Sequence, residues 1–240
     1  MLSKSQIKLI TSLKQKKYRQ QHGLFVVEGV KTIKELLASS LTLYALYTTE
    51  SFNIDAKLET VISEAELKRI SFLTTPNTAL AVFKMPKPKA IDSNKLIVAL
   101  DSVRDPGNLG TIIRLCDWFG IKDLVCSKET VDCFNPKVIQ ATMGSITRVN
   151  INYVNLEEFI SLVPVPVFGA FMEGDNVYSS DLPKNGILVM GNEANGISKE
   201  IENLVTDKIS IPRFGDLQAT ESLNVATATA ILLSEFKRRF

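Results

Sequence analysis

The sequence predicts an α/β protein in two parts, a small α/β unit followed by a larger one built on a parallel sheet. Three observations carry that reading. From about residue 96 to the end, short apolar strands alternate with helical segments, the pattern of parallel strands joined by covering helices. Met85-Pro-Lys-Pro-Lys-Ala90 interrupts the chain with two prolines and alternating lysines, a stiff and solvated connector. The last helical stretch, Val225-Ala-Thr-Ala-Thr-Ala-Ile-Leu-Leu233, has almost no polar face beyond small Thr, so it belongs in a core or against a second subunit. The connector divides the chain into 1–88 and 92–240.

In the first part, Ser3 can cap a helix carrying Ile7, Leu9, Ile10 and Leu13. Leu24-Phe-Val-Val-Glu28 reads as a buried strand by its apolar, β-branched run. Gly29 turns into a helix with Ile33, Leu36 and Leu37 on one side, and a strand spans 41–48. Ser63 with Glu66 three residues on is a capping box for a helix to Ile70, and 79–83 is the last strand. In the second part, strands fall at 96–100, 123–126, 149–154, 167–171, 187–190 and 208–211. Helices fall at about 109–119, 136–143, 156–162 and 199–205, with a final one from Ser222, a good N-cap. Asn135-Pro136 is a cap followed by proline at the first helical position.

Composition narrows the function. With 45% hydrophobic and 22% charged residues the chain looks like an ordinary soluble globular protein. It has no apolar run long enough to span a membrane, and no apolar signal core at its start, so a cytoplasmic address is expected. Cys116, Cys126 and Cys133 are odd in number and lack metal-ligand spacing, which reads as reduced thiols. The single histidine, His22, lies far from the polar motifs, which disfavours a histidine-based nucleophilic engine and a zinc site. Net charge is only +2, but residues 1–20 carry Lys4, Lys8, Lys14, Lys16, Lys17 and Arg19 and no acid. Such a run either meets a polyanion or is a solvated helix face.

Two polar motifs precede the final helix. Gly107-Asn-Leu-Gly110 lacks both the Gly-Lys-Ser/Thr of a P-loop and the three-glycine spacing of a dinucleotide fingerprint. It offers Asn108 at a helix start and Arg114 six residues on, a pair that could grip an anion. Equally, Asn108 could be a cap and Arg114 a partner of Asp101, Asp105 or Asp117. Gly191-Asn-Glu-Ala-Asn-Gly196 follows an apolar strand, where glycine permits close approach and Glu193 lies at the strand edge that binds ligands in open α/β sheets. A turn with a solvated glutamate is the plainer alternative.

Together, Leu100-Asp-Ser-Val-Arg-Asp-Pro-Gly-Asn-Leu-Gly-Thr-Ile-Ile-Arg114, Ile187-Leu-Val-Met-Gly-Asn-Glu-Ala-Asn-Gly-Ile-Ser198 and the stretch from Ile209 to Leu233 resemble, in order, the motifs of the SpoU/TrmH family of RNA ribose 2′-O-methyltransferases, within the SPOUT superfamily. The phrase Ser12-Leu-Lys-Gln-Lys-Lys-Tyr-Arg19 with Gly23-Leu-Phe-Val-Val-Glu-Gly29 resembles the substrate-binding domain ahead of some members, similar to the L30e ribosomal-protein fold. The resemblance implies a C-terminal trefoil knot, a homodimer, an RNA substrate (rRNA ahead of tRNA) and no metal. It implies S-adenosylmethionine held around Gly191, Ile211 and Leu223, and a catalytic set of Asn108, Arg114, Glu193, Ser222 and Asn224, with Ser222 and Asn224 orienting Arg114. Lys14, Lys16, Lys17, Tyr18 and Arg19 are the candidate RNA contacts. One departure stands out: the segment 212–222 is a few residues longer than the family form and reads Arg-Phe where Met commonly follows Pro. The rival readings are a catalytically silent RNA-binding protein of this fold and a Rossmann-like metabolic enzyme, the latter weakened by the missing fingerprint.

Overall fold

The computed structural model describes residues 1–215 and 222–238. They fall into two compact units, Met1–Lys87 with Asp132–Thr147, and Pro88–Val131 with Arg148–Phe240.

The first unit opens with α1 (Lys4–Ser12), closed at its start by a Ser3/Gln6 capping box, and α2 (Lys16–His22), which ends on Gly23 in the left-handed region. Then come β1 (Leu24–Glu28), α3 (Val30–Leu37), β2 (Leu43–Thr48), β3 (Glu59–Val61), α4 (Glu64–Ile70) and β4 (Ala79–Lys84). The sheet runs β1-β4-β2-β3, with β4 antiparallel to both neighbours and β2 parallel to β3. Ile10, Leu13, Val26, Leu67, Ile70 and Leu80 share one buried cluster, so the apolar stripes of α1 and α4 meet the inner face of the sheet.

The segment Asp132–Thr147, expected from the sequence to lie in the second part, packs within this first unit. Its helix α6 (Pro136–Thr142), with Asn135 accepting from the Lys137 N–H, lies against β1. Phe134 brings its ring centroid to 4.8 Å from that of Phe25. Arg19 is the anchor. It is 2% exposed and donates from Nε and Nη2 to Asp132 Oδ2 at 2.9 and 2.5 Å, and from Nη1 to the carbonyls of Leu13 and Lys14. Arg19 is therefore removed from the candidate RNA contacts: its guanidinium is spent inside the protein. Lys14, Lys16 and Lys17 are exposed, Tyr18 is half-buried, and the Lys17 ammonium lies 5.9 Å from its ring centroid.

The second unit holds β5 (Leu96–Leu100), α5 (Pro106–Trp118), β6 (Asp123–Ser127), β7 (Asn150–Val154), α7 (Leu156–Leu162), β8 (Val167–Asn176), β9 (Gly186–Met190), α8 (Lys199–Glu202), β10 (Asp207–Ser210) and α9 (Val225–Arg238). Its sheet has the order β10-β8-β9-β5-β6-β7, and every pairing is parallel. β5 and β9 are buried at every position, as strands covered on both faces must be. The chain steps outward from β5 to β6 and β7, and all later strands lie on the other side of β5. The order thus reverses between β5 and β9, where open α/β sheets place their ligands beyond the strand carboxyl ends.

Two helix starts differ from expectation. α5 begins at Pro106, three residues early, with Asp105 as the cap: its Oδ1 accepts from the Asn108 N–H at 2.8 Å. α9 begins at Val225, and its cap is Asn224 rather than Ser222, with Oδ1 accepting from the Ala226 and Thr227 N–H groups at 2.9 and 3.2 Å. α9 packs on α5 and buries Val225, Thr229, Leu232, Leu233 and Phe236, which recur at the helical period. The three cysteines are buried and form no disulfide, and burial pushes the Cys116 thiol well above its usual range.

The Arg19–Asp132 pair yields an expectation for stability. Asp132→Ala leaves a buried guanidinium without its counter-charge and should cost about 3–5 kcal/mol. Denaturant unfolding of the full chain checks it. A loss under about 1 kcal/mol, the worth of a surface pair, would mean the anchor contributes little.

Candidate functional site

The site forms at the reversal between β5 and β9, from loops that leave the carboxyl ends of the strands. The backbone fixes the first of these. The Asp101 N–H donates to the Met190 carbonyl at 2.9 Å, and the Asp101 carboxylate accepts from the Ser198 N–H at 2.7 Å. Asn192 donates from Nδ2 to the Ser102 carbonyl at 2.6 Å, and its Oδ1 accepts from the N–H groups of Ala194 and Asn195. Asp101, considered in the sequence only as a partner for Arg114, and Asn192, not singled out there, tie the loop after β5 to the loop after β9. Gly191 lies beneath this knot of bonds. A Cβ there would stand 2.3 Å from Gly196 C and Ile197 N, a separation no side chain survives, so the loop can fold back only over glycine.

On that base stands a chain of three polar side chains. Asn108 donates from Nδ2 to Glu193 Oε1 at 2.9 Å, and its Oδ1 accepts from Asn224 Nδ2 at 2.9 Å. The far oxygen of Asn224 caps α9, while Glu193 Oε2 accepts a long bond from the Arg104 N–H at 3.5 Å. Chemistry dictates each orientation. An ionised carboxylate only accepts, so Asn108 turns its amide nitrogen to Glu193 and its oxygen to Asn224.

Beside this chain opens a cavity of about 1110 Å³. Gly191, Ile211 and Leu223 all line it, as do Glu193, Ser222 and Asn224. Its walls come from the loop at 191–197, the middle of β8 at 170–172, the segment 211–215 and the first turns of α9. Ile209, Ile211, Leu223 and Leu232 make it largely apolar, with Glu193, Ser222 and Asn224 among its polar lining. Residues 216–221, which make up most of the lengthened loop noted in the sequence, lie outside the described residues. Among the described residues no cluster of His, Cys, Asp or Glu is placed to hold a metal ion.

Arg114 is not part of this constellation. Six residues beyond Asn108 on α5, it lies about 240° round the helix and about 9 Å along it. It is exposed and makes no hydrogen bond or ion pair with any described residue, so within one protomer neither Ser222 nor Asn224 orients it. Asp117, a possible partner on sequence grounds, is taken by Arg148 at 2.8 Å. One turn beyond Arg114 on the same helix face stands Trp118, 84% exposed.

Comparison with known proteins completes the description. Residues 95–234 match the model of the SpoU rRNA methylase family, and residues 4–81 match that of the MRM3-like substrate binding domain. The chain is 30% identical over 228 residues to the 23S rRNA (guanosine(2553)-2′-O)-methyltransferase RlmP of Bacillus subtilis, covering 91% of this chain and 90% of that one. Among solved structures it resembles a putative RNA methyltransferase of the TrmH family from Porphyromonas gingivalis, with a TM-score of 0.91, 40% identity and full coverage of both chains. It is also similar to the AdoMet-bound rRNA methyltransferase of Sinorhizobium meliloti, with a TM-score of 0.88 and 31% identity over 100% of this chain and 97% of the other. With the family model matching residues 95–234, more than half of its length, this chain belongs to the SpoU rRNA methylase family.

Proposed function

We propose that the protein methylates a ribose 2′-hydroxyl of structured RNA, rRNA ahead of tRNA, with S-adenosylmethionine as donor, in the cytoplasm. The observation that carries this reading is the cavity at the strand reversal, flanked by the hydrogen-bonded chain Glu193–Asn108–Asn224. Its residues suit that cofactor. Bare backbone around Gly191 and 211–215 can meet the polar edge of an adenine, and Ile209, Ile211, Leu223 and Leu232 its face. S-adenosylmethionine, when bound, supplies a methyl already activated on a sulfonium. The protein then has to align the accepting oxygen and let its proton leave.

The side chains divide that work. Glu193, Asn108 and Asn224 hold three loops in register, so that the cavity keeps its shape as the nucleotide arrives. Arg114 faces outward with its fork unengaged, suited to bidentate contact with an RNA phosphate beside the reacting ribose. A guanidinium stays protonated, and a phosphate nearby favours that form further, so Arg114 acts as a cation that steadies charge on the oxygen and not as a base. A silent RNA-binding protein of this fold would have no need of an intact Glu193–Asn108–Asn224 chain, which favours catalysis. Incorporation of labelled methyl from S-adenosylmethionine into 16S and 23S rRNA transcribed in vitro tests it, with wild-type levels of label absent from 2′-O-methylated RNA.

The same reading makes the protein a homodimer and gives α9 the threaded position of a trefoil knot. Trp118 supports the dimer: a large ring fully in water on a helix that packs with α9 marks a surface made for a partner. Light scattering should report twice the chain mass, and Trp118→Glu should shift it toward the monomer. A monodisperse, fully active monomer of the unsubstituted protein would rule the dimer out.

Arg114→Ala should abolish transfer while leaving S-adenosylmethionine affinity unchanged, and Arg114→Lys should fail as well, because an ammonium lacks the planar fork. Calorimetry and single-turnover assays separate the two effects. A lysine variant turning over at the native rate would remove the role.

In the first unit, Lys14, Lys16 and Lys17 with Tyr18 are proposed to hold RNA phosphates. Cutting the chain at residue 88 is a poor test, since it takes β1 away from α6. Replacing the three lysines with alanine keeps the unit whole. It should lower the slope of log affinity against log salt by roughly two to three, at about 0.7 to 0.9 per phosphate contact. An unchanged slope in a salt titration of RNA binding would reduce the lysines to a solvated face.

A further inference from the structure

Along the rim of the cavity the second unit exposes an aromatic pair that the reaction as described does not use. Phe214, 83% exposed, lines the rim, and its ring lies over Tyr178, itself 39% exposed, with centroids 6.5 Å apart and planes 29° from parallel. The pair does not hang from a loose end. β8 runs well past its apolar stretch to Asn176, held to β10 by Ser210, whose Oγ donates to the Gly174 carbonyl and whose own carbonyl accepts the Val177 N–H. Asn176 then organises the turn that bears Tyr178: its Oδ1 accepts the Tyr178 N–H at 3.0 Å, and its carbonyl accepts those of Ser179 and Ser180. Gly174 makes this possible, for a Cβ there would meet the Lys208 carbonyl at 2.7 Å. Met172 and Leu223, both exposed, extend the apolar rim.

Two stacked rings in water at the mouth of a cavity, one of them carried on a hydrogen-bonded turn, imply something flat to cover them. We infer that Phe214, backed by Tyr178, is the stacking platform for the nucleobase of the nucleotide being methylated, or of its immediate neighbour. The inference rests on the methyltransferase reading. For a ribose 2′-oxygen to reach a donor held inside the cavity, the sugar must stand at the mouth, and its base then lies over the rim. A nucleotide drawn out of its stack into such a mouth loses its neighbours, and an aromatic ring restores that contact without regard to base identity. The cofactor is a poorer match for this surface. Tyr178 does not line the cavity, so the aromatic surface runs outward from Phe214, away from where an adenosine would lie.

The test uses the full chain with rRNA transcribed in vitro and labelled S-adenosylmethionine, and compares Phe214→Ala, Phe214→Trp and Tyr178→Leu. Phe214→Ala should raise the KM for RNA roughly 5- to 100-fold, the range for loss of one aromatic partner of a base. Cofactor Kd by calorimetry should not move, Phe214→Trp should restore KM, and Tyr178→Leu should shift KM in the same direction by less. An unchanged KM in Phe214→Ala would overturn the proposal. So would an equal rise in cofactor Kd, which would make the ring a roof over the cofactor, or dissociation of a dimer in the same variant, which would make it a subunit contact. No methyl transfer by the unsubstituted protein would instead overturn the methyltransferase reading, and the platform with it.

Discussion

The site depends on one asymmetry, that an ionised carboxylate accepts hydrogen bonds and cannot give them. Glu193 stands on the loop after β9, Asn108 in the first turn of α5, and Asn224 at the head of α9. Because Glu193 only accepts, Asn108 must present its nitrogen to it, which leaves its oxygen for Asn224. Asn224 in turn has only its oxygen left for the N–H groups of α9, which is what caps that helix. A single direction of hydrogen bonding thus passes through three elements far apart in the chain. The middle position needs a side chain that both donates and accepts: aspartate would confront Glu193 with a second carboxylate, and leucine would leave both neighbours unpaired. Gly191 supplies the other constraint, since the loop that carries Glu193 could not close over any side chain.

A comparable economy holds the first unit together. Its sheet is completed on one side by a helix that arrives from a later part of the chain, and α6 alone, with seven residues, has too few turns to be stable in water. Apolar contact of Phe134 with Phe25 and packing on β1 account for part of its order. Arg19 accounts for its placement. Four hydrogen bonds from its fixed fork reach Asp132 and two carbonyls of the α1–α2 connection at once, which a lysine could not do. The basic run at the start of the chain therefore contains two kinds of cation, exposed lysines and one structural arginine.

How far all this could be read beforehand depends on whether the signal was local. The alternation of strands and helices, the Ser63/Glu66 capping box and the Asn135-Pro136 helix start are short-range patterns, and each stands in the structure as read. Asp105-Pro106 is the same pattern as Asn135-Pro136, yet it is passed over in a helix expected from about residue 109, and Gly107 follows it. The structure supplies the reason for that glycine: a Cβ there would crowd the capping oxygen of Asp105 at 3.0 Å. Strand β3 has three residues with no buried position, and the far half of β8 is polar, so neither carries a periodic signal. The motif residues lining the cavity were legible through family resemblance. The partners of Arg19, the bridging role of Asn108 and the pairing of Phe214 with Tyr178 were not, because each joins residues that only the fold brings together.

The last helix shows why an apolar sequence alone does not say what a helix packs against. From composition, α9 looks suited to a core or an interface and nothing else. In the structure its circumference is divided. Val225, Thr229, Leu232, Leu233 and Phe236 lie buried, with Phe236 edge-on to Phe168 at 5.2 Å between centroids. Ala228 lines the cavity, and Leu232 reaches it from the core side, so the helix is also a wall of the site. Ala230 and Ile231 stay only half-buried. Small residues serve both ends of this arrangement: alanine at 228 leaves room in the cavity, and the Thr229 hydroxyl bonds back to the Val225 carbonyl at 2.7 Å and needs no outside partner. A charge introduced at Ala228 would therefore enter the cavity, whereas one at Trp118, on the exposed face of α5, would not. Whether a position on α9 faces the core or shapes the pocket is decided here within one turn, and only the packing reveals which is which.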